Sequence, residues 1–135
     1  MTQALAIVGL YAALNTFILF WFDAVTGKLR TKHKVWIGDG GVQHLIRILR
    51  GHANAIENMP MFFILMGIAA VLVAPNWLLH VLGIVFTIGR AFHAWHFIQE
   101  DAPAWQRSLG FGLSGLALFL VTLGVLGHGL ATLVM

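Results

Sequence analysis

Cysteine is absent from the 135 residues. Its absence excludes disulfides, thiolate metal sites, iron–sulfur clusters and a protein thiol nucleophile, so any sulfur chemistry must arrive with a substrate. Charge is scarce too: Asp, Glu, Lys and Arg make up 10% of the chain, against roughly 25% in a soluble domain. There is one tyrosine, Tyr11, and there are three prolines. What replaces the polar residues is apolar: 59% of the chain is hydrophobic and the mean hydropathy is +0.86. Such a chain cannot cover itself with polar surface, and the composition predicts a polytopic membrane protein.

Three apolar stretches stand out: Ala4–Phe22, Met59–Gly89 and Leu109–Met135. The middle one is too long for one crossing at ~20 residues each and divides at Ala74-Pro75-Asn76. This predicts an all-α integral membrane four-helix bundle, one domain over 1–135, with helices near 3–25, 42–74, 76–98 and 102–133. Residues 1–22 lack the basic start of a signal peptide and are read as the first helix. Gly38-Asp39-Gly40-Gly41 marks a turn before the second helix. Pro60 removes a helical donor and is expected to kink the second helix, freeing the Ile56 carbonyl. Asp101 is expected to cap the fourth helix with Pro103 in its first turn. Gly110, Gly112, Ser114 and Gly115 offer small residues for close helix packing. Tyr11 is read as a packing or interfacial aromatic.

The sequence pI is near 10.0, which in a soluble protein would point to nucleic acid. Here half of the eight basic residues, Lys28, Arg30, Lys32 and Lys34, fall in one segment after the first span, and nucleic acid is not expected as a partner. That segment is read as a cytoplasmic loop by the positive-inside rule, touching anionic lipid, with both termini outside the cytoplasm.

The remaining charge is concentrated where a membrane helix begins. Arg47, Arg50, Asn54 and Glu57 fall at roughly 60°, 0°, 40° and −20° on a wheel of ~100° per residue, one narrow polar stripe, whereas His52 points to ~200°. Ionisable groups at such depth are costly and are functional candidates by default. The stripe is either a salt-bridge network or a site for a small anionic or zwitterionic ligand. The surplus arginine favours the ligand, because guanidinium suits carboxylates bidentately. Treating the second and third helices as a hairpin about residue 75 puts Glu57 level with His93, Asn54 with His96 and Pro60 with Arg90. Arg107, opening the fourth helix, enters from the same side. Histidines on facing helices also admit a b-type cytochrome, with His80 and His128 as further candidates near the far side. A non-enzymatic binding or scaffold protein is the other alternative.

The run Arg50-Gly-His52-Ala-Asn54-Ala-Ile-Glu57-Asn-Met-Pro60 resembles the signature of the MAPEG family, the membrane-associated proteins in eicosanoid and glutathione metabolism. Chain length, four spans and Gly89-Arg90 followed by His93 are similar as well. The resemblance implies a homotrimer in a bacterial inner membrane, with glutathione as co-substrate between subunits and no metal. It further implies a transferase or peroxidase activating the glutathione thiol toward a hydrophobic small-molecule electrophile or lipid hydroperoxide, its site open to the cytoplasm. By position, Arg50, Asn54 and Glu57 would hold the tripeptide's charged ends, helped by Arg47, Arg90 and His93. His52 would reach a neighbour's ligand, and Lys28 or Arg30 would add a basic contact. Arg107, aided by His96, would stabilise the thiolate. The tyrosines of the eicosanoid-forming members are replaced here by Asn58 and by His96-Phe97.

Overall fold

The structure, a computed structural model, describes residues 1–134. Its described residues form α1 Thr2–His33, α2 Gln43–Val71, α3 Asn76–Ile98 and α4 Ala104–Val134. Each is long and apolar enough to cross a membrane; even α3, the shortest at 23 residues, reaches about 35 Å at 1.5 Å per residue. The chain runs up and down four times. α2 and α3 form the centre, α1 packs on both of them, and α4 packs on α3 and α2. Among the described residues α1 and α4 do not touch.

Three boundaries differ from those read off hydropathy, each for a local reason. α1 continues past Val25 to His33, so Lys28, Arg30 and Lys32 lie on helix rather than in a loop. The apolar span ends there but the helix does not, because basic side chains in a last turn complement the helix dipole. Arg30 Nη1 donates to the carbonyls of Val35 and Gly38, at 3.3 and 2.8 Å, and folds the following turn back onto α1. α2 stops at Val71 instead of residue 74. Val73 takes φ +64° and the amide of Ala74 donates back to the Ala69 carbonyl at 2.9 Å, closing the reversal before Pro75. α4 starts at Ala104, directly after Pro103, so Asp101 does not cap it. Ala102 precedes a proline and is held out of the helical region. α2 is continuous through Pro60.

The core lies along the α2–α3 contact, where the rings of Phe62 and Phe86 stack with centroids 3.7 Å apart and planes 2° apart. Two partly buried polar links join α1 to α3: Tyr11 Oη with His80 Nδ1 at 2.9 Å, and Asn15 Nδ2 donating to Thr87 Oγ1 at 2.8 Å. Tyr11 is therefore a packing residue, and His80 is satisfied within the chain. α3 and α4 approach most closely at Gly89 and Gly110. A Cβ at Gly89 would sit 2.6 Å from the Ser114 amide nitrogen, and one at Gly110 would sit 2.5 Å from the His93 nitrogen. Small residues permit that approach where no hydrophobic effect drives helices together. Gly112 and Gly115 face open space and take no part. The rest of α4 turns Phe111, Leu116, Phe119, Leu123 and Leu126 outward, as a lipid-facing helix does.

Candidate functional site

One end of the bundle gathers nearly all the charge. The C-terminal end of α1, the N-terminal end of α2, the C-terminal end of α3 and the N-terminal end of α4 meet there. Between α2, α3 and α4 lies a cavity of about 410 Å³ lined by Arg50, Asn54, His93, Phe97, Arg107, Ser108 and Phe111. Arg107 thus joins Arg50 although 57 positions separate them in sequence. The lining holds two guanidiniums and no carboxylate, so the niche is built to receive negative charge.

The wall is held from behind. Arg90 is buried, and its Nη1 donates to Asn54 Oδ1 at 3.0 Å while its Nη2 donates to the hydroxyl of Ser114. Arg90 is a pure donor, so the Asn54 atom it meets is the oxygen, and the Asn54 NH2 group stays available to the cavity. The guanidinium also lies 5.6 Å over the Phe86 ring, an attraction strengthened by exclusion of water. Arg90 supports the site without lining it.

The hairpin register differs from the one inferred by pivoting at residue 75. Because the reversal occupies Leu72–Pro75, facing residues on α3 have lower numbers than expected. His93, rather than His96, shares the cavity with Asn54, and Arg90 reaches Asn54 instead of lying level with Pro60. His96 lies lower and meets Arg47. Both of these side chains are engaged inside the chain: Arg47 Nη2 donates to the His96 carbonyl at 3.0 Å, and His96 Nδ1 lies 3.2 Å from the Pro103 carbonyl. Neither lines the cavity.

Among the described residues no ion pair joins Arg47, Arg50 and Glu57, so the salt-bridge reading of the stripe does not hold within one chain. Arg50, Glu57 and Arg107 are exposed. His52 takes the opposite face of α2, as its wheel position required. It stacks on Phe22 with centroids 5.5 Å apart and comes within 3.6 Å of Asp23 on α1. Asn58 bonds back to the Asn54 carbonyl at 2.8 Å.

Ser108 and Phe111 line the cavity with no signal of their own in the sequence, and Phe97, which stands where related proteins have a tyrosine, lines it with them. Positions 107, 108 and 111 share one face of α4, and 93 and 97 one face of α3, at the i, i+4 spacing. That periodicity carries the signal, but only once the helices are docked. A second cavity, about 420 Å³, lies at the opposite end among Leu72, Pro75, Leu79, Leu82, Val121 and His128. It contains no charged side chain, so ligand chemistry based on charge belongs to the first.

A family model described as the MAPEG family matches residues 8–127. The chain belongs to the MAPEG family. This MAPEG chain is 34% identical over 119 residues to Inner membrane protein YecN of Escherichia coli K12, covering 88% of this chain and 89% of that protein. It is 28% identical over 118 residues to Uncharacterized protein sll1147 of Synechocystis, covering 87% and 83% respectively. Four apolar spans and the YecN likeness make it an integral inner membrane protein of the glutathione and eicosanoid metabolism family.

Proposed function

We propose that the protein binds glutathione in the cavity between α2, α3 and α4 and activates its thiol toward hydrophobic electrophiles or lipid hydroperoxides. The observation that carries this reading is the lining itself: Arg50 and Arg107 face one niche with Asn54, His93 and Ser108, and no carboxylate neutralises them. Arg50 takes a carboxylate of the tripeptide, the free Asn54 amide donates beside it, and Glu57, exposed on α2 outside the lining and about one turn beyond Asn54, takes the ammonium at the rim. Arg107 stands at the α4 edge of the niche, where a cation favours thiolate over thiol. Phe111, exposed on α4, forms the outer lip of the cavity, so an apolar acceptor enters past it from the bilayer while the charged donor enters from the cytoplasm.

The exposed charges favour an assembly. Arg50 and Glu57 sit on the outer surface of a membrane-spanning helix, where contact with hydrocarbon costs several kcal/mol. A homotrimer relieves that cost if each site lies against a neighbouring copy, with His52 of that copy completing it. Titration of detergent-solubilised protein with glutathione, followed by turnover with an aryl halide and with a lipid hydroperoxide, tests the proposal. Saturable binding with turnover of either acceptor is expected. Absence of saturable binding overturns it.

A further inference from the structure

The resemblance implies a ligand contact for Arg47 and a part in thiolate stabilisation for His96, yet both side chains bond within the protein. The C-terminus of any helix leaves four carbonyls without helical partners. In α3 these belong to Trp95, His96, Phe97 and Ile98. His44 Nε2 donates to the Ile98 carbonyl at 2.7 Å, Arg47 Nη2 to that of His96 at 3.0 Å, and Gln99 Nε2 to that of Trp95 at 2.9 Å. Arg47 Nε adds the Gln99 carbonyl at 3.3 Å. Two side chains of α2 therefore cap α3.

His96 extends this cap across the turn. Arginine only donates, so the His96 Nε2 that lies 3.3 Å from Arg47 Nη2 must accept. A carbonyl only accepts, so His96 Nδ1, 3.2 Å from the Pro103 oxygen, must donate. Both nitrogens are committed, and the ring is held as the neutral Nδ1–H tautomer. Gln99 Nε2 bonds Gln106 Oε1 at 3.1 Å and ties the same turn to the first turn of α4. Arg107 is the next residue. The charged or titratable groups facing His96 are Arg47 from α2, His93 from its own helix, Asp101 from the turn and Arg107 from α4.

We propose that Arg47 and His96 form a latch that positions Arg107 over the cavity, and that a proton on His96 opens it. The inference rests on reading the cavity as a glutathione site. A rigid helix carries a fixed start to a fixed backbone position one residue on, so holding Pro103 and Gln106 fixes where the Arg107 side chain springs from α4. Protonation converts Nε2 into a donor facing the Arg47 donor. It replaces a hydrogen bond with repulsion between cations and releases the turn.

The latch is tested first without any ligand. Nitrogen-15 NMR of histidine-labelled protein in detergent should show His96 as a neutral Nδ1–H ring at neutral pH, and Arg47→Met should erase its hydrogen-bonded Nε2 shift. An Nε2–H tautomer, or no response to Arg47→Met, overturns the latch. Steady-state turnover supplies the second reading. Arg47→Met should lower kcat roughly ten- to a hundredfold, as small misplacements of a reacting group do, while leaving KM for glutathione and affinity for an S-alkylated glutathione unchanged. His96→Leu should behave alike. His96→Gln, which keeps one donor and one acceptor but takes no proton, should recover most of the loss and remove the wild-type fall in kcat on acidification. If Arg47→Met instead weakens the S-alkylated analogue as Arg50→Ala does, Arg47 contacts ligand and the latch is wrong. If wild-type protein binds no glutathione at all, the functional reading fails while the NMR result still decides the latch.

Discussion

Arg50 and Glu57 are alike in one respect: each is an exposed charge on a membrane helix with no partner of opposite sign among the described residues. If they hold opposite ends of a zwitterionic tripeptide, each should count in affinity. A hydrogen bond to a charged group contributes ~1.5–3 kcal/mol, so Arg50→Ala or Glu57→Gln should weaken glutathione binding roughly ten- to a hundredfold by calorimetry. Arg107 is different in kind. Arg107→Ala should leave the affinity for an S-alkylated glutathione nearly intact and abolish the ultraviolet absorbance of bound thiolate. Normal thiolate absorbance in that variant would assign activation to another group.

At the level of elements, the site depends on how closely α3 and α4 approach. Gly89 and Gly110 let the backbones touch, and the hydroxyl of Ser114, one turn beyond Gly110, then meets Arg90. Gly110→Val forces a branched side chain against the His93 backbone, where a single Cβ already has 2.5 Å. Overpacking of this sort costs about 1–3 kcal/mol, so the thermal midpoint in detergent should fall and glutathione affinity should fall with it. Gly112→Val, facing open space on the same helix, should change neither. Helix identity was legible from the apolar runs, and α3 begins and ends where the pattern put it. The ends of α1, α2 and α4 were not, because a basic last turn, a left-handed Val73 and the residue before Pro103 act through backbone geometry that hydropathy does not record.

For the whole molecule, the charged end of the bundle and the uncharged end face opposite sides of the membrane. Lys28, Arg30, Lys32, Lys34, Arg47, Arg50 and Arg107 belong to the first. With an even number of spans, a C-terminal reporter active only in the cytoplasm should be silent, in keeping with the positive-inside rule. The proposed trimer makes a separate demand. Coexpressed His52→Ala and Arg50→Ala chains should recover partial binding, because some interfaces combine an intact Arg50 with an intact His52 from the neighbour. Mixed assemblies that bind no better than either parent would place both residues in one subunit.

The sequence by itself determined that the chain is a four-helix membrane protein and which residues of α2 form a polar stripe. Span number follows from apolar length against bilayer thickness, and the stripe from the 3.6-residue repeat. The family likeness was legible in the same short run, since the spacing of Arg50, His52, Asn54, Glu57 and Pro60 is local. Only the tertiary structure decided how this stripe divides. Arg50 and Asn54 line a cavity with Arg107, whereas Arg47 turns to the end of α3 and Arg90 braces Asn54 from behind. The physical reason is the α2–α3 reversal. Its Val73 backbone sets the depth at which two helices meet, and a change of a few residues there exchanges which histidine lines the cavity and which meets Arg47 and the Pro103 carbonyl.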